Sequence, residues 1–269
     1  ITELMKIPFV KLHGAKNDFL LTFAEDAPLQ KQPEIAVAIC DRYTGVGADG
    51  WMLVDRRGGP GYDASIRLFN SDGSEPELSG NGTRCAGALL LRDRDEGEVR
   101  IRTGAGIKHL RLLERKGAEY QFEMNMGNIQ VIELNAMVQG RDAVLVDAGN
   151  PQCAMPVGSF GFDWRAVGAA VERDPRFPSR TNVSFIVPRD RHAIDVRFWE
   201  RGAGETNSSG TGSTGAAMAA IARGFAESPV TVHTPAGPLE LRFEGGVYLT
   251  GPAALVAEGT YVHENMFFE

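Results

Sequence analysis

The sequence predicts an α/β (α+β) fold made of two pseudo-symmetric halves. Most of the chain alternates or runs apolar over short stretches, as strands do, and only four stretches carry a helical pattern. A gap-free internal repeat places two copies of one strand–loop–helix unit 130 residues apart. With 269 residues, the chain is long enough for two such units.

The elements follow in order. IPFVKLHG, WMLVDRR, ASIRLFN, EVRIRTG, KHLRLLERK, EYQFEMNMG and AVLVDAGN read as strands. EIAVAICDRYTG is the first helix, stopped by glycine. GTRCAGALLLRDRD is the second, DWRAVGAAVERD the third, and GSTGAAMAAIARG the fourth, closed by Gly224. The tail returns to strands in VTVHTPAG, LELRFEG, VYLTGP and ALVAEGTYV.

In the repeat, IRLFNSDGSEPELSGNGTRCAGA aligns with VRFWERGAGETNSSGTGSTGAAM. Ile66 falls on Val196, Arg67 on Arg197, Phe69 on Trp199, Glu75 on Glu205, Ser79 on Ser209, Gly80 on Gly210 and Gly82 on Gly212. Two copies imply two similar halves about a pseudo-twofold axis. In each, a small polar residue and two glycines open a small-residue helix, so backbone N–H groups at a positive dipole end are left to hold an anion. Two such turns facing one another would grip a small acid from both sides, with Ser79 and Ser209 on opposite faces. That arrangement suits inversion of a carbon next to a carboxylate: one group removes the α-proton, the other returns one to the opposite face. Serine is right for position and weak for the task. A thiol near pKa ~8.5 falls further at a helix start, whereas a hydroxyl needs a neighbouring base.

Composition narrows the partners. A hydrophobic share of 43% and a charged share of 23% are ordinary for a globular chain. The net charge of −7 and scattered Lys and Arg argue against nucleic acid. No apolar run reaches membrane-spanning length, and ITELMKIPFVKLHG lacks a secretion pattern. Cys40, Cys85 and Cys153 have neither metal spacing nor a disulfide framework. A cytoplasmic protein is expected, with no metal and no organic cofactor.

KLHGAKNDF, DRYTGVGADG, RLFNSDGSEPELSGNGTRC, the GNP of Gly149–Pro151, TNVSF, ERGAGET, SGTGSTGAA and LTGPA occur in an order that resembles the diaminopimelate epimerase family over nearly the whole chain. The resemblance implies two mirrored halves, each a curved, mainly antiparallel sheet around a central helix. Residues 1–125 with 257–269 would form one half and 126–256 the other, with the active site in the cleft between them. It implies a cofactor-independent amino-acid epimerase of lysine and cell-wall precursor synthesis. The family's two catalytic cysteines correspond to Ser79 and Ser209. Cys85 matches a cysteine that does not transfer the proton.

The same resemblance implies substrate contacts at Asn17, Asn70, Asn81, Asn150 and Asn182. Glu200 would take an ammonium and Arg201 a carboxylate. Gly80, Asn81, Gly210 and Thr211 would supply helix-start amides. A homodimer is common in the family; no feature here decides it. Two departures stand out: Gln152 where the family has histidine, and Lys16 where it has glycine. Lys16 would bind substrate or offset carboxylates.

Plain structural roles stand beside these. Ser79 and Ser209 fit helix N-caps, and both roles hold together. Asn17, Asn70 and Asn150 fit turn formers, Glu200 and Arg201 a surface ion pair, and His13 a hydrogen-bonded core histidine. Glu75 and Glu205 would bind loop backbone, with general base as their reserve role. Three alternatives to the epimerase stay open: another isomerase or tautomerase on the same fold, a non-catalytic amino-acid binder, and a form with its cysteines deliberately replaced.

Overall fold

A computed structural model describes residues 4–94 and 97–264, so Asp95, at the end of the second expected helix, lies outside the described residues. The chain divides into two compact units. One holds the described residues up to Phe122 together with those from Pro252 onward; the other is Glu123–Gly251.

The first unit carries β1 (Leu4–Gly14), β2 (Asn17–Phe23), α1 (Gln32–Cys40), β3 (Gly50–Asp55), β4 (Ala64–Asn70), α2 (Gly80–Leu90), β5 (Gly97–Thr103), β6 (Gly106–Lys116) and β7 (Glu119–Asn125), whose last residues enter the second unit. Its strands lie in chain order. β1–β2, β3–β4 and β5–β6 are antiparallel, and β2–β3 and β4–β5 are parallel. A parallel neighbour requires a crossover, and α1 and α2 are those crossovers.

The second unit repeats this plan. It has β8 (Gln130–Val138), β9 (Arg141–Asp147), β10 (Pro151–Pro156), α3 (Trp164–Glu172), β11 (Asn182–Asp190), β12 (Ala193–Glu200), β13 (Gly204–Thr206), α4 (Gly210–Ala222), β14 (Val230–Thr234) and β15 (Gly237–Phe243). β9–β10, β11–β12 and β14–β15 are antiparallel, while β10–β11 and β12–β14 are parallel with α3 and α4 between them. The repeat seen in the sequence therefore extends to every strand from β1 to β6. The last strand, β16 (Val247–Glu264), pairs with β15 through its first residues and with β1 through residues 254–264. The expected tail strands VYLTGP and ALVAEGTYV are thus one strand; the chain stays extended through Gly251 and Pro252.

Each unit buries one helix on nearly every side. α2 packs against β1, β2, β4 and β5, and α4 against β8 to β12, β14 and β15. Glycine costs a helix roughly 1 kcal/mol relative to alanine, yet here it admits the strands. A Cβ at Gly82 would sit 2.7 Å from Met52 Cε, at Gly87 2.9 Å from Leu110 Cδ2, and at Gly212 2.9 Å from Phe198 Cδ1. Separate apolar clusters fill the rest. Ile7, Leu20, Ile39, Trp51 and Phe69 form one, with Trp51 Nε1 donating to Thr22 Oγ1 at 2.9 Å. Met155, Trp164, Val171 and Phe185 belong to the other.

The β1–β2 turn docks on the start of α2. Gly14 faces Asn17 in register, and a Cβ on Gly14 would lie 2.9 Å from the Asn81 carbonyl oxygen. The two turn residues, Ala15 at φ 49° and Lys16 at φ 63°, are both left-handed, the conformation a two-residue hairpin favours and glycine or asparagine best supplies. Lys16 bears that conformation with a side chain, which costs about 1–2 kcal/mol. Set against the looser unfolded chain of a glycine variant, Lys16→Gly is expected to stabilise the fold by roughly 0.5–1 kcal/mol, a melting rise of about 2 °C. Thermal unfolding of the two proteins reads this directly; an unchanged or lower melting temperature contradicts it.

Candidate active site

Ser79 caps α2 from an extended backbone, φ −124° and ψ 115°, and its Oγ accepts from Gly82 N at 3.1 Å. The Thr83 amide bonds the Ser79 carbonyl at 2.8 Å. The remaining first amides of the helix point out of its end, where an anion is favoured by the dipole. Ser79 is half-buried, and among the described residues its own proton has no acceptor. Asn17 and Asn81 meet at this turn, Asn81 Nδ2 donating to Asn17 Oδ1 at 3.2 Å.

Ser209 repeats the cap, with φ −138°, ψ 122° and a 3.1 Å bond from Gly212 N. It differs in being buried and in its proton, which it donates to Glu200 Oε2 at 2.8 Å. Thr206 donates to the other oxygen of Glu200 at 2.6 Å. Glu200 is therefore neither a surface partner of Arg201 nor an isolated acceptor; it is a carboxylate in contact with one of the two serines. Around the same turn, Asn150 Nδ2 reaches Thr211 Oγ1 at 3.3 Å, and Gln152 Nε2 donates to Asn150 Oδ1 at 2.6 Å. Gln152 is buried, its Oε1 has no partner among the described residues, and a Cβ on Gly215 would press it at 3.0 Å.

The Glu200–Arg201 segment is held from beneath by a residue that no sequence signal marked. Glu172, buried at the end of α3, accepts from Trp199 Nε1 at 2.8 Å and from Gly202 N at 2.9 Å, and pairs with Arg180. Its contacts flank Glu200 and Arg201 on both sides. Asn182 finishes the hold: its Oδ1 accepts from Arg201 N at 3.1 Å and its Nδ2 donates to Pro151 O at 3.0 Å.

Other expectations resolve differently. Glu75 and Glu205 do not bind loop backbone. Each takes a two-pronged contact from an arginine, Arg67 and Arg165, because a guanidinium fork matches a carboxylate better than single amides do. The Arg67 contact lowers the Glu75 pKa, which suits an ion pair and not a base. Asn70 is tied within its own loop, Nδ2 donating to Ser74 Oγ at 3.0 Å. His13 Nδ1 accepts from the Lys16 amide at 3.4 Å, a structural contact. Cys85 is fully buried in α2 and burial pushes its thiol up to about 12, as it does for Cys40 and Cys153. None of the three offers a thiolate. Among the described residues no group of His, Cys, Asp or Glu has the arrangement of a metal site, and no helix is long and apolar enough to cross a membrane.

The family model for diaminopimelate epimerase matches residues 9–132 and 144–256. The chain belongs to the diaminopimelate epimerase family. It is an isomerase, a cofactor-independent amino-acid epimerase. A diaminopimelate epimerase of Pseudomonas fluorescens (strain Pf0-1) is 35% identical over 276 residues, covering 95% of this chain and 99% of that protein. One from Microcystis aeruginosa is 37% identical over 283 residues, covering 96% and 99%. A hydroxyproline epimerase from Agrobacterium vitis, solved with bound trans-4-OH-L-proline, shares the fold at a TM-score of 0.78 and 14% identity, covering 99% of this chain and 95% of its own. The small substrates of such enzymes are carboxylates, and both helix starts have the chemistry to bind one.

Two outcomes follow from the second turn. Glu172→Gln turns an N–H toward one of three donors in a buried site, so a loss of about 2–3 kcal/mol is expected, read by denaturant unfolding; a loss under about 0.5 kcal/mol contradicts the hold. Burial, partly offset by Thr206 and Ser209, raises the Glu200 carboxyl above its ordinary 4.5. A raised folded value favours the fold below the unfolded value, and that contribution disappears as pH rises through the folded one. The stability advantage of wild type over Glu200→Gln is therefore expected to be greatest near pH 4 and to shrink above 4.5. Melts from pH 4 to 8 check this, and an advantage that grows with pH refutes it.

Proposed function

We propose that this family member epimerises diaminopimelate, with Ser79 and Ser209 as the proton-transferring pair. The observation that carries the reading is the Ser209–Glu200 contact: the hydroxyl that stands where the family uses a thiol has its own base. Ser209 Oγ takes the α-proton as its own proton passes to Glu200. Ser79 Oγ–H protonates the opposite face, and solvent restores the Ser79 proton as Glu200 releases the one it gained. The helix-start amides at Gly80, Asn81, Gly210 and Thr211 stabilise the carboxylate as charge builds next to it. Asn17, Asn150, Asn182 and Arg201 orient the substrate; Asn70 shapes the loop before Ser79. Such an enzyme works in the cytoplasm on a free amino acid, and a homodimer fits the family.

A second reading is favoured by one asymmetry. The Ser79 proton has no acceptor among the described residues, whereas the Ser209 proton has one. A one-sided isomerase working through Ser209 and Glu200 alone fits that difference.

The test is solvent deuterium exchange with L,L-diaminopimelate in D₂O. Meso product carrying deuterium at the inverted carbon is expected, and both Ser79→Ala and Ser209→Ala should lower its rate by roughly 10²–10⁴. The joint change Ser79→Cys, Ser209→Cys should raise the rate at least about tenfold, because a thiol at a helix start ionises near neutrality. Exchange that survives in Ser79→Ala and is lost in Ser209→Ala selects the one-sided reading. Neither exchange nor meso product from the wild-type protein removes the epimerisation of this substrate.

A further inference from the structure

A directed line of hydrogen bonds crosses the first unit from a buried cation to a carboxylate. Arg84, fully buried in α2, donates from Nη2 to Asn81 Oδ1 at 2.6 Å. Asn81 Nδ2 donates to Asn17 Oδ1 at 3.2 Å, and Asn17 Nδ2 donates to Asp49 Oδ2 at 2.6 Å. The ends set the direction, since a guanidinium only donates and a carboxylate only accepts. Asn81 must turn its oxygen to Arg84 and its NH₂ to Asn17; Asn17 must turn its oxygen back and its NH₂ to Asp49. Rotating either amide by half a turn sets donor against donor or acceptor against acceptor.

Both ends are anchored. Arg84 Nε donates to Pro252 O at 3.1 Å and Nη1 to Gly80 O at 3.4 Å, both of them neutral oxygens. Asp49 accepts from the Asp18 amide at 3.1 Å and from Arg42 Nη2 at 2.9 Å. The second unit has no counterpart, because Thr214 stands where Arg84 would fall and bonds Gly210 O at 2.8 Å.

We propose that Arg84 and Asp49 are positioning residues that lock the Asn17 amide, so that its nitrogen is always the face offered to a substrate carboxylate. The proposal rests on the reading that Asn17 contacts substrate. One N–H of Asn17 is spent on Asp49, and the other, on the same nitrogen, is the donor. A reversed amide would present lone pairs to the carboxylate and repel it.

Four variants of the full chain test this: Asp49→Asn and Arg84→Gln remove an end charge, and Asp49→Glu and Arg84→Lys keep it. With diaminopimelate, the charge-removing variants are expected to raise KM roughly ten- to a hundredfold, the weight of one hydrogen bond to a charged group, while kcat moves less than about threefold. The charge-keeping variants should stay near wild type. In the ligand-free protein, the Asn17 side-chain amide resonances, assigned with Asn17→Asp, should move and exchange faster with water in the charge-removing variants alone. An unchanged KM in Asp49→Asn, equal losses in all four variants, or unmoved Asn17 resonances overturns the proposal. If Arg84→Gln fails to fold, exposed Asp49 decides it. If wild type shows no turnover, the functional reading falls and the Asn17 resonances alone judge the lock.

Discussion

The structure depends on how closely strands approach two helices made of small residues. α2 and α4 are buried on nearly every side, and their glycines face side chains that leave no room for a Cβ. That approach is paid for in helix propensity, and it fixes where each helix begins. Because the helix cannot slide or tilt against its strands, its capping serine and first amides are set by packing across a whole unit and not by a loop. Gly14 does the same from the strand side, bringing the β1–β2 turn onto Asn81.

On that frame one residue has two tasks. A serine that caps a helix must keep its oxygen on the N3 amide; one that moves protons must keep an orbital open to the substrate. Both caps here accept from the third residue after them, and the oxygen retains a further lone pair for chemistry. A cysteine would meet the first task poorly and the second well. Serine reverses the balance, so whatever the chain gains in rate must come from the surroundings of the hydroxyls, and those surroundings are unequal.

Much of this is legible in the sequence because it repeats. The alignment of Ile66 onward with Val196 onward located both helices, both caps and the strands that feed them. Strands such as β2, β8 and β10 were harder to read. β2 and β10 open on Asn17 and Pro151, residues that read as turn formers, and β8 has register breaks and exposed Ile132, Leu134 and Met137. The pairing of Glu75 and Glu205 with arginines was hidden because their partners are 8 and 40 residues away. Glu172 sat in what reads as an ordinary helix face. Only folding brings it under the Glu200–Arg201 segment, 27 residues from Trp199. Lys16 is the reverse case: a departure in the sequence whose meaning, a left-handed turn position, appears only in the backbone angle.

The two turns are alike in backbone, and the charged residues of the two copies differ. Within α2 lies a buried cation, Arg84, whose counterpart in the repeat is Thr214. Beside Ser209 lies a carboxylate, Glu200, whose counterpart is Asn70. Duplication gives each half the same anion-holding helix start, but a reaction that moves a proton in one direction needs an acceptor at one end and a donor at the other. A carboxylate raises the basicity of the hydroxyl it touches. Symmetric caps would leave both hydroxyls equally weak; the Glu200 contact breaks that symmetry at Ser209. The departures from the repeat therefore set the two helix starts apart as much as the repeat makes them alike.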